Sequence, residues 1–151
     1  MKMKKLIVLF CALVFAFNVN AQKTNPVKWS FTAVKKTDKQ YELVATATID
    51  ASWHIYSQFV SGGPIPTNFT FSKNPLIQLA GKTKEKGKLQ KMYDKNFKTE
   101  LSFFSDKVDF VQTVNLKVAS KTNLVGVVEY SVCNDDRCLP PVKVPFEVAL
   151  N

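Results

Sequence analysis

Residues 40–50 read QYELVATATID, and in them Tyr41, Leu43, Ala45, Ala47 and Ile49 alternate with Glu42, Thr46 and Thr48. Successive side chains of a strand point to opposite faces, so this period of two predicts a half-buried β-strand. Upstream, KWSFTAV (28–34) sets Trp29, Phe31 and Ala33 in the same rhythm. Downstream, NFTFS (68–72), PLIQLAG (75–81), LSFF (101–104), KVDFVQTVNLKVA (107–119), TNLVGVVEYSVC (122–133) and VKVPFEVAL (142–150) continue it. Turn-rich pieces such as KKTDKQ (35–40), SGGPIPTN (61–68), EKGK (85–88) and SKTN (120–123) separate them. No stretch carries helical spacing. About eight short strands with no helices between them predict an all-β protein, an antiparallel β-sandwich of immunoglobulin type. Pro145 lacks an N–H within the last run, which predicts an edge strand or a bulge there.

The first 21 residues stand apart from this pattern. Lys2, Lys4 and Lys5 precede the apolar run LIVLFCALVFAF (6–17) and then NVNA (18–21). This order of charge, apolar segment and small residue is that of a secretory signal cut after Ala21. The run falls short of the roughly 20 residues that a membrane span needs. The expectation is an exported chain with no membrane span after cleavage, its residues 22–151 forming one domain with its own core. Cys11 would leave with the signal, and Leu9 and Phe10 before it are too large for a lipoprotein site. Cys133 and Cys138 remain. Removing three of the 21 basic residues and none of the 12 acids leaves 18 − 12 = +6. Seven lysines fall in KTKEKGKLQKMYDKNFK (82–98), which reads as a solvated loop and sheet edge, where lysine discourages sheet-to-sheet association. With one arginine and an export signal, the chain is not read as binding nucleic acid.

The stretch YSVCNDDRCLPPVKV (130–144) holds both remaining cysteines. With the flanking runs as the last two strands, Asn134 to Arg137 form a four-residue connection and the cysteines face each other at its mouth. Opposed residues of an antiparallel pair have Cα atoms about 4.5–5.5 Å apart, within the range of a disulfide. Pro140 and Pro141 remove two backbone donors and hold Leu139 extended, so the chain after Cys138 is barred from ordinary pairing. Cys138 is then a candidate for exposure. Arg137 favours its thiolate, while Asp135 and Asp136 oppose it. Three uses of the pair stay open on residue chemistry: a structural staple, a redox pair and a metal clasp.

Other signals are weaker. His54 is the one histidine; beside Trp53 in a strand it reads as packing, and no fourth ligand completes a metal site with the cysteines. A serine hydrolase would lack its Gly-x-Ser-x-Gly element. Asp135 and Asp136 suit a turn better than paired-carboxylate catalysis.

VCNDDRCLPP (132–141) at the end of such a sandwich, preceded by WHIYS (53–57), GGPIPT (62–67) and MYDKNF (92–97), resembles the N-terminal periplasmic domain of the thiol:disulfide interchange protein DsbD, the disulfide bond corrector family. The resemblance covers nearly all of the chain after residue 21, and Cys-x-x-x-x-Cys-Leu-Pro-Pro is its most specific part. It implies an immunoglobulin-like fold, a periplasmic location and a relay of electrons from a membrane-embedded thiol reductase to oxidised thioredoxin-like proteins. The setting implied is cytochrome c maturation or disulfide repair, with no metal and no organic cofactor. By position, Cys133 and Cys138 match the family's active pair, Cys138 as the sulfur that forms mixed disulfides and Cys133 as the resolving one. Phe97 falls at the aromatic cap over the pair, Asp94 in the cap's acidic segment, and Tyr56 at a tyrosine beside the site. The best-known members have five residues between the cysteines where this chain has four, and acidic residues where it has Lys95 and Asn96. The sequence ends after the sandwich, so the electron donor is expected to be another polypeptide. The rival expectation is a non-catalytic immunoglobulin-like envelope binding module whose bridge only secures a hairpin.

Overall fold

The computed structural model of the chain describes residues 25–95 and 97–151. The expected signal, with Cys11 and the cut after Ala21, lies outside them. The described residues form strands β1 (Val27–Thr37), β2 (Gln40–Ile49), β3 (His54–Tyr56), β4 (Asn68–Phe71), β5 (Ile77–Gly87), β6 (Gln90–Asp94), β7 (Thr99–Phe104), β8 (Lys107–Leu116), β9 (Thr122–Tyr130), β10 (Val132–Cys133) and β11 (Val142–Leu150). They pair antiparallel in three sheets of order β1-β2-β8-β5, β10-β3-β7-β6 and β11-β9-β4.

The alternation in residues 40–50 does what the pattern predicts. Tyr41, Leu43, Ala45, Ala47 and Ile49 are all buried, and β2 runs between β1 and β8. Ala45, Ala47 and Phe110 of this sheet pack with Val128 and Tyr130 of β9, but also with Ile55, Phe104 and Val132 of the β10-β3-β7-β6 sheet. At the other end Leu43, Val114 and Leu116 meet Leu124, Phe146 and Leu150. One four-stranded layer therefore faces a second layer made of the other two sheets, an immunoglobulin-like β-sandwich. Each fully buried Leu or Phe in that interface contributes about 1.5–3 kcal/mol. Close packing demands Gly126, where an added Cβ would stand 2.6 Å from Phe146 Cζ and 2.7 Å from the Thr70 carbonyl oxygen. Pro145 lies in edge strand β11, opposite Val127, as its missing donor requires.

The described residues of the lysine-rich stretch lie largely at sheet edges, as expected. They form the end of β5 and all of β6, each at the edge of its sheet, and Gly81 makes the bulge within β5 at a φ of 68°.

The expected unbroken strand 122–133 is divided. Its pairing with β11 ends at Tyr130 opposite Val142, after which Val132 and Cys133 pair with Ile55 and His54 in another sheet. The prolines supply the reason. An extension of the ladder would set Ser131 and Val132 against Pro141 and Pro140, which have no N–H to give. Tyr130, Ser131, Val132 and Cys133 are consequently buried in succession as the chain passes from one sheet to the other.

Candidate functional site

The site grows from this change of sheet. Past Cys133 the chain turns over Asn134–Arg137 and returns, so that Cys133 and Cys138 form an isolated antiparallel bridge. The Asn134 N–H donates to the Arg137 carbonyl and the Leu139 N–H to the Val132 carbonyl, each at 2.9 Å. Those bonds flank the cysteines and make them a non-hydrogen-bonded pair, the type in which opposed side chains approach most closely. Their Cα atoms are 4.0 Å apart, nearer than the separation expected from an average pair, and a disulfide joins them. The Asn134 side-chain oxygen accepts from the Asp136 and Arg137 N–H groups and closes the turn. Leu139 packs onto the core and fixes the return.

The two sulfurs occupy unlike surroundings. Cys133 is 2% exposed, in a cluster with Tyr56 and Leu101 that Val60 and Phe103 border. Cys138 is exposed. The distinction follows from the pairing, since Cys133 belongs to a strand backed by β3 whereas Cys138 has only the bridge.

Tyr56 lies on the same face as Cys133. It stands two residues from His54, the cross-strand neighbour of Cys133, and pairs with Phe103 of β7. Burial pushes the Tyr56 phenol above its ordinary pKa, and the Asp94 carboxylate pushes it further in the same direction. Asp94, at the end of β6, is thereby brought within electrostatic reach of Tyr56. Phe97 lies in the turn between β6 and β7, where its N–H donates to Asp94 Oδ1 at 3.1 Å, and the residue is 46% exposed. Cys133, Tyr56 and Asp94 thus lie on one sheet, at edge strand β10, on β3 and at the end of β6 on the opposite edge, while Cys138 joins it through the isolated bridge and Phe97 through the β6–β7 turn.

Two residues enter that sequence reasoning left aside. His54, assigned to packing, does pack edge-on to Tyr56 and against Phe103, but it also lies directly opposite Cys133. Its Nε2 is 3.1 Å from the Tyr56 hydroxyl. Burial holds its pKa below the usual value, partly offset by the Asp135 carboxylate in the cysteine turn. The other is Glu85 of β5, which accepts from the Ser57 hydroxyl and the Gln58 N–H, the latter at 2.7 Å. That contact ties the loop after β3 to the opposite layer. Gly63 in the same loop sits against Leu101, where a Cβ would meet Cδ2 at 2.6 Å. Among the described residues no cluster of three or more His, Cys, Asp or Glu could hold a metal, and no helix is long and apolar enough to cross a membrane.

Fold and site together define a class, the immunoglobulin-like domains that carry a hairpin disulfide. Residues 18–149 match the family described as thiol:disulfide interchange protein DsbD, N-terminal, and the chain belongs to that family. Among solved structures it is similar to the reduced DsbD N-terminal domain of Neisseria meningitidis, with 13% identity and a TM-score of 0.59 over 83% of this chain and 86% of that one. The N-terminal periplasmic domain of ScsB from Proteus mirabilis gives the same identity and TM-score, over 87% of this chain and 49% of that one. A complex of the DsbD and PilB N-terminal domains from Neisseria meningitidis matches at 12% identity and a TM-score of 0.53, over 86% and 88% of the two chains. These likenesses are of fold. No curated protein sequence matches the chain.

Proposed function

We propose that this domain, residues 22–151 after loss of an export signal, is a periplasmic electron carrier working through Cys133 and Cys138. A membrane-embedded thiol reductase or a thioredoxin-like donor loads it, and it reduces oxidised thioredoxin-like partners. The observation that carries the reading is the unequal exposure of the two bonded cysteines, which favours attack at Cys138. A donor thiolate attacks Sγ of Cys138, the bond to Cys133 breaks, and Cys133 leaves with the electron pair. The donor's second thiol then attacks its own sulfur in the mixed disulfide. Cys138 is released, leaving a dithiol here and a disulfide on the donor. Transfer to an acceptor runs the same steps in reverse, with Cys133 resolving. By family position Phe97 and Asp94 belong to a cap and Tyr56 lines the site, so partner choice would rest on fit to the β6–β7 turn, while Cys138 itself stays exposed. The Neisseria DsbD–PilB complex supports a protein-domain partner, and the ScsB domain supports a periplasmic setting. Cytochrome c maturation and disulfide repair are the settings that fit.

The test is covalent trapping. Cys133→Ala should accumulate mixed disulfides through Cys138 on non-reducing gels with an oxidised thioredoxin-like protein, whereas Cys138→Ala should give few. Trapping through Cys133 alone would reverse the roles. A bridge that only secures the hairpin should resist glutathione buffers, since structural disulfides lie below about −300 mV.

A further inference from the structure

Exchange through Cys133 and Cys138, on which this inference rests, leaves one matter of charge. When Cys138 is attacked, the electron pair departs on Cys133, whose surroundings are sealed. A thiolate has no water to solvate it there, and burial in an apolar cluster disfavours the charged form. The reverse step meets the same obstacle, because Cys133 must shed its proton before it can attack. A group beside Cys133 has to take and return that proton.

We infer that His54 carries the proton of Cys133 during exchange and passes it outward through the Tyr56 hydroxyl. His54 and Cys133 are directly opposed across β3 and β10, and opposed residues share a face with Cβ atoms about 4.5–5.5 Å apart. Phe103 packs on the ring from β7 and holds it in place. Nε2 is engaged with the Tyr56 hydroxyl at 3.1 Å, and Asp94 of β6 acts on that hydroxyl from the border of the site. Asp135 faces the imidazole from the cysteine turn and favours its charged form. These are the titratable groups around the ring: Cys133 on β10, Tyr56 on its own strand, Asp135 in the turn, and Asp94 beyond Tyr56.

The steps balance. In the resolving direction Cys133–SH gives its proton to neutral His54, the thiolate attacks Sγ of Cys138, and the partner leaves as thiolate. In the loading direction the Cys133 thiolate forms next to His54, which draws a proton from solvent and hands it to the sulfur. Burial keeps the resting imidazole neutral at neutral pH, ready to accept. A thiolate opposite it favours imidazolium, so the two groups titrate as a pair. Electrons enter through Cys138 and the proton travels by a separate side, through His54.

The reduced purified protein is mixed with an aromatic disulfide whose released thiolate absorbs. A first release reports attack by Cys138, and a second reports attack by Cys133 on Sγ of Cys138 in the mixed disulfide, which displaces the other aromatic thiolate. His54→Gln, which keeps a hydrogen-bonding group but cannot titrate, is expected to slow the second release at least about tenfold at pH 7, leaving the first within twofold. It should also abolish the part of the second-release pH profile that follows the His54 titration read by NMR in the native protein. Equal second-release rates and profiles in native and variant proteins overturn the role of His54. A native protein that shows no second release removes the exchange reading itself, and this inference with it. Proton NMR of the native protein tests the role independently of whether the variant folds, since His54 is the one histidine in the sequence. Its imidazolium should persist to higher pH in the dithiol than in the disulfide form, and identical midpoints overturn the coupling.

Discussion

Reducing the disulfide of the intact protein should destabilise the fold by about 2 kcal/mol at most. Cys133 and Cys138 are separated by 5 in sequence, so the bridge closes a ring of about six residues. Chain-entropy arithmetic gives such a ring a loss of roughly 7 cal/mol/K in the unfolded state, or about 2 kcal/mol at 25 °C. Native contacts independent of the sulfurs keep the turn closed. Hydrogen bonds from Asn134 to Arg137 and from Leu139 to Val132 flank the bridge, β10 is paired to β3, and Leu139 is packed on the core. Thermodynamic linkage turns this figure into a second one. A fold stabilised by about 2 kcal/mol through its disulfide makes that disulfide harder to reduce by the same amount, about 45 mV for two electrons. Urea unfolding of the oxidised and reduced forms measures the first quantity. The difference between the potentials of the native and the urea-unfolded chain measures the second, and the two must agree. Loss of more than about 4 kcal/mol, or a reduced form unfolded without urea, would refute this account and return the bridge to a structural role.

Gly126→Ala should destabilise the protein by about 1–3 kcal/mol, because its methyl group would press on both the Phe146 ring and the Thr70 carbonyl; an unchanged urea midpoint would contradict the packing described. His54 has a folded pKa below its unfolded value, so its contribution to stability is present above about pH 6.5 and lost as pH falls through the folded value. His54→Gln should flatten the pH–stability curve in that window. Tyr56 and Tyr130, raised chiefly by burial, work at the other end: their contribution is complete below about pH 10 and is lost as pH rises through their folded values, a decline that circular dichroism at alkaline pH would register. Phe97→Ala, at an exposed turn position, should leave the melting temperature nearly unchanged while speeding reaction of reduced Cys138 with small disulfides. Equal rates would deprive Phe97 of its role as a cap.

The fold was largely legible because most strands have one wet face. Tyr41 to Ile49 alternate since β2 is buried on one side only, and Pro145 marks an edge because it cannot donate. The change of sheet after Tyr130 was hidden for the complementary reason. A strand passing from one sheet to another is covered throughout, and Tyr130 to Cys133 offer neither alternation nor a glycine to mark the break. Pro140 and Pro141 were the available signal, read for their effect on Leu139 but not for the ladder they end. Of the site, the Cys133–Cys138 pairing was readable from local spacing, which permits the bridge that forms, whereas Tyr56, Asp94 and Phe97 were named by family resemblance alone. The place of His54 was not. Its neighbour Cys133 comes from a distant part of the chain, and such pairing depends on which strands meet, which periodicity does not record.

The passage of β9 into β10 also has a mechanical meaning. In the proposed exchange a protein tethered to Cys138 would pull, through the Asn134–Arg137 turn, on a segment stitched into both sheets of one layer, so the load would be shared between them. Flexing of either sheet alone then leaves the anchor point steady while a bulky visitor docks and departs.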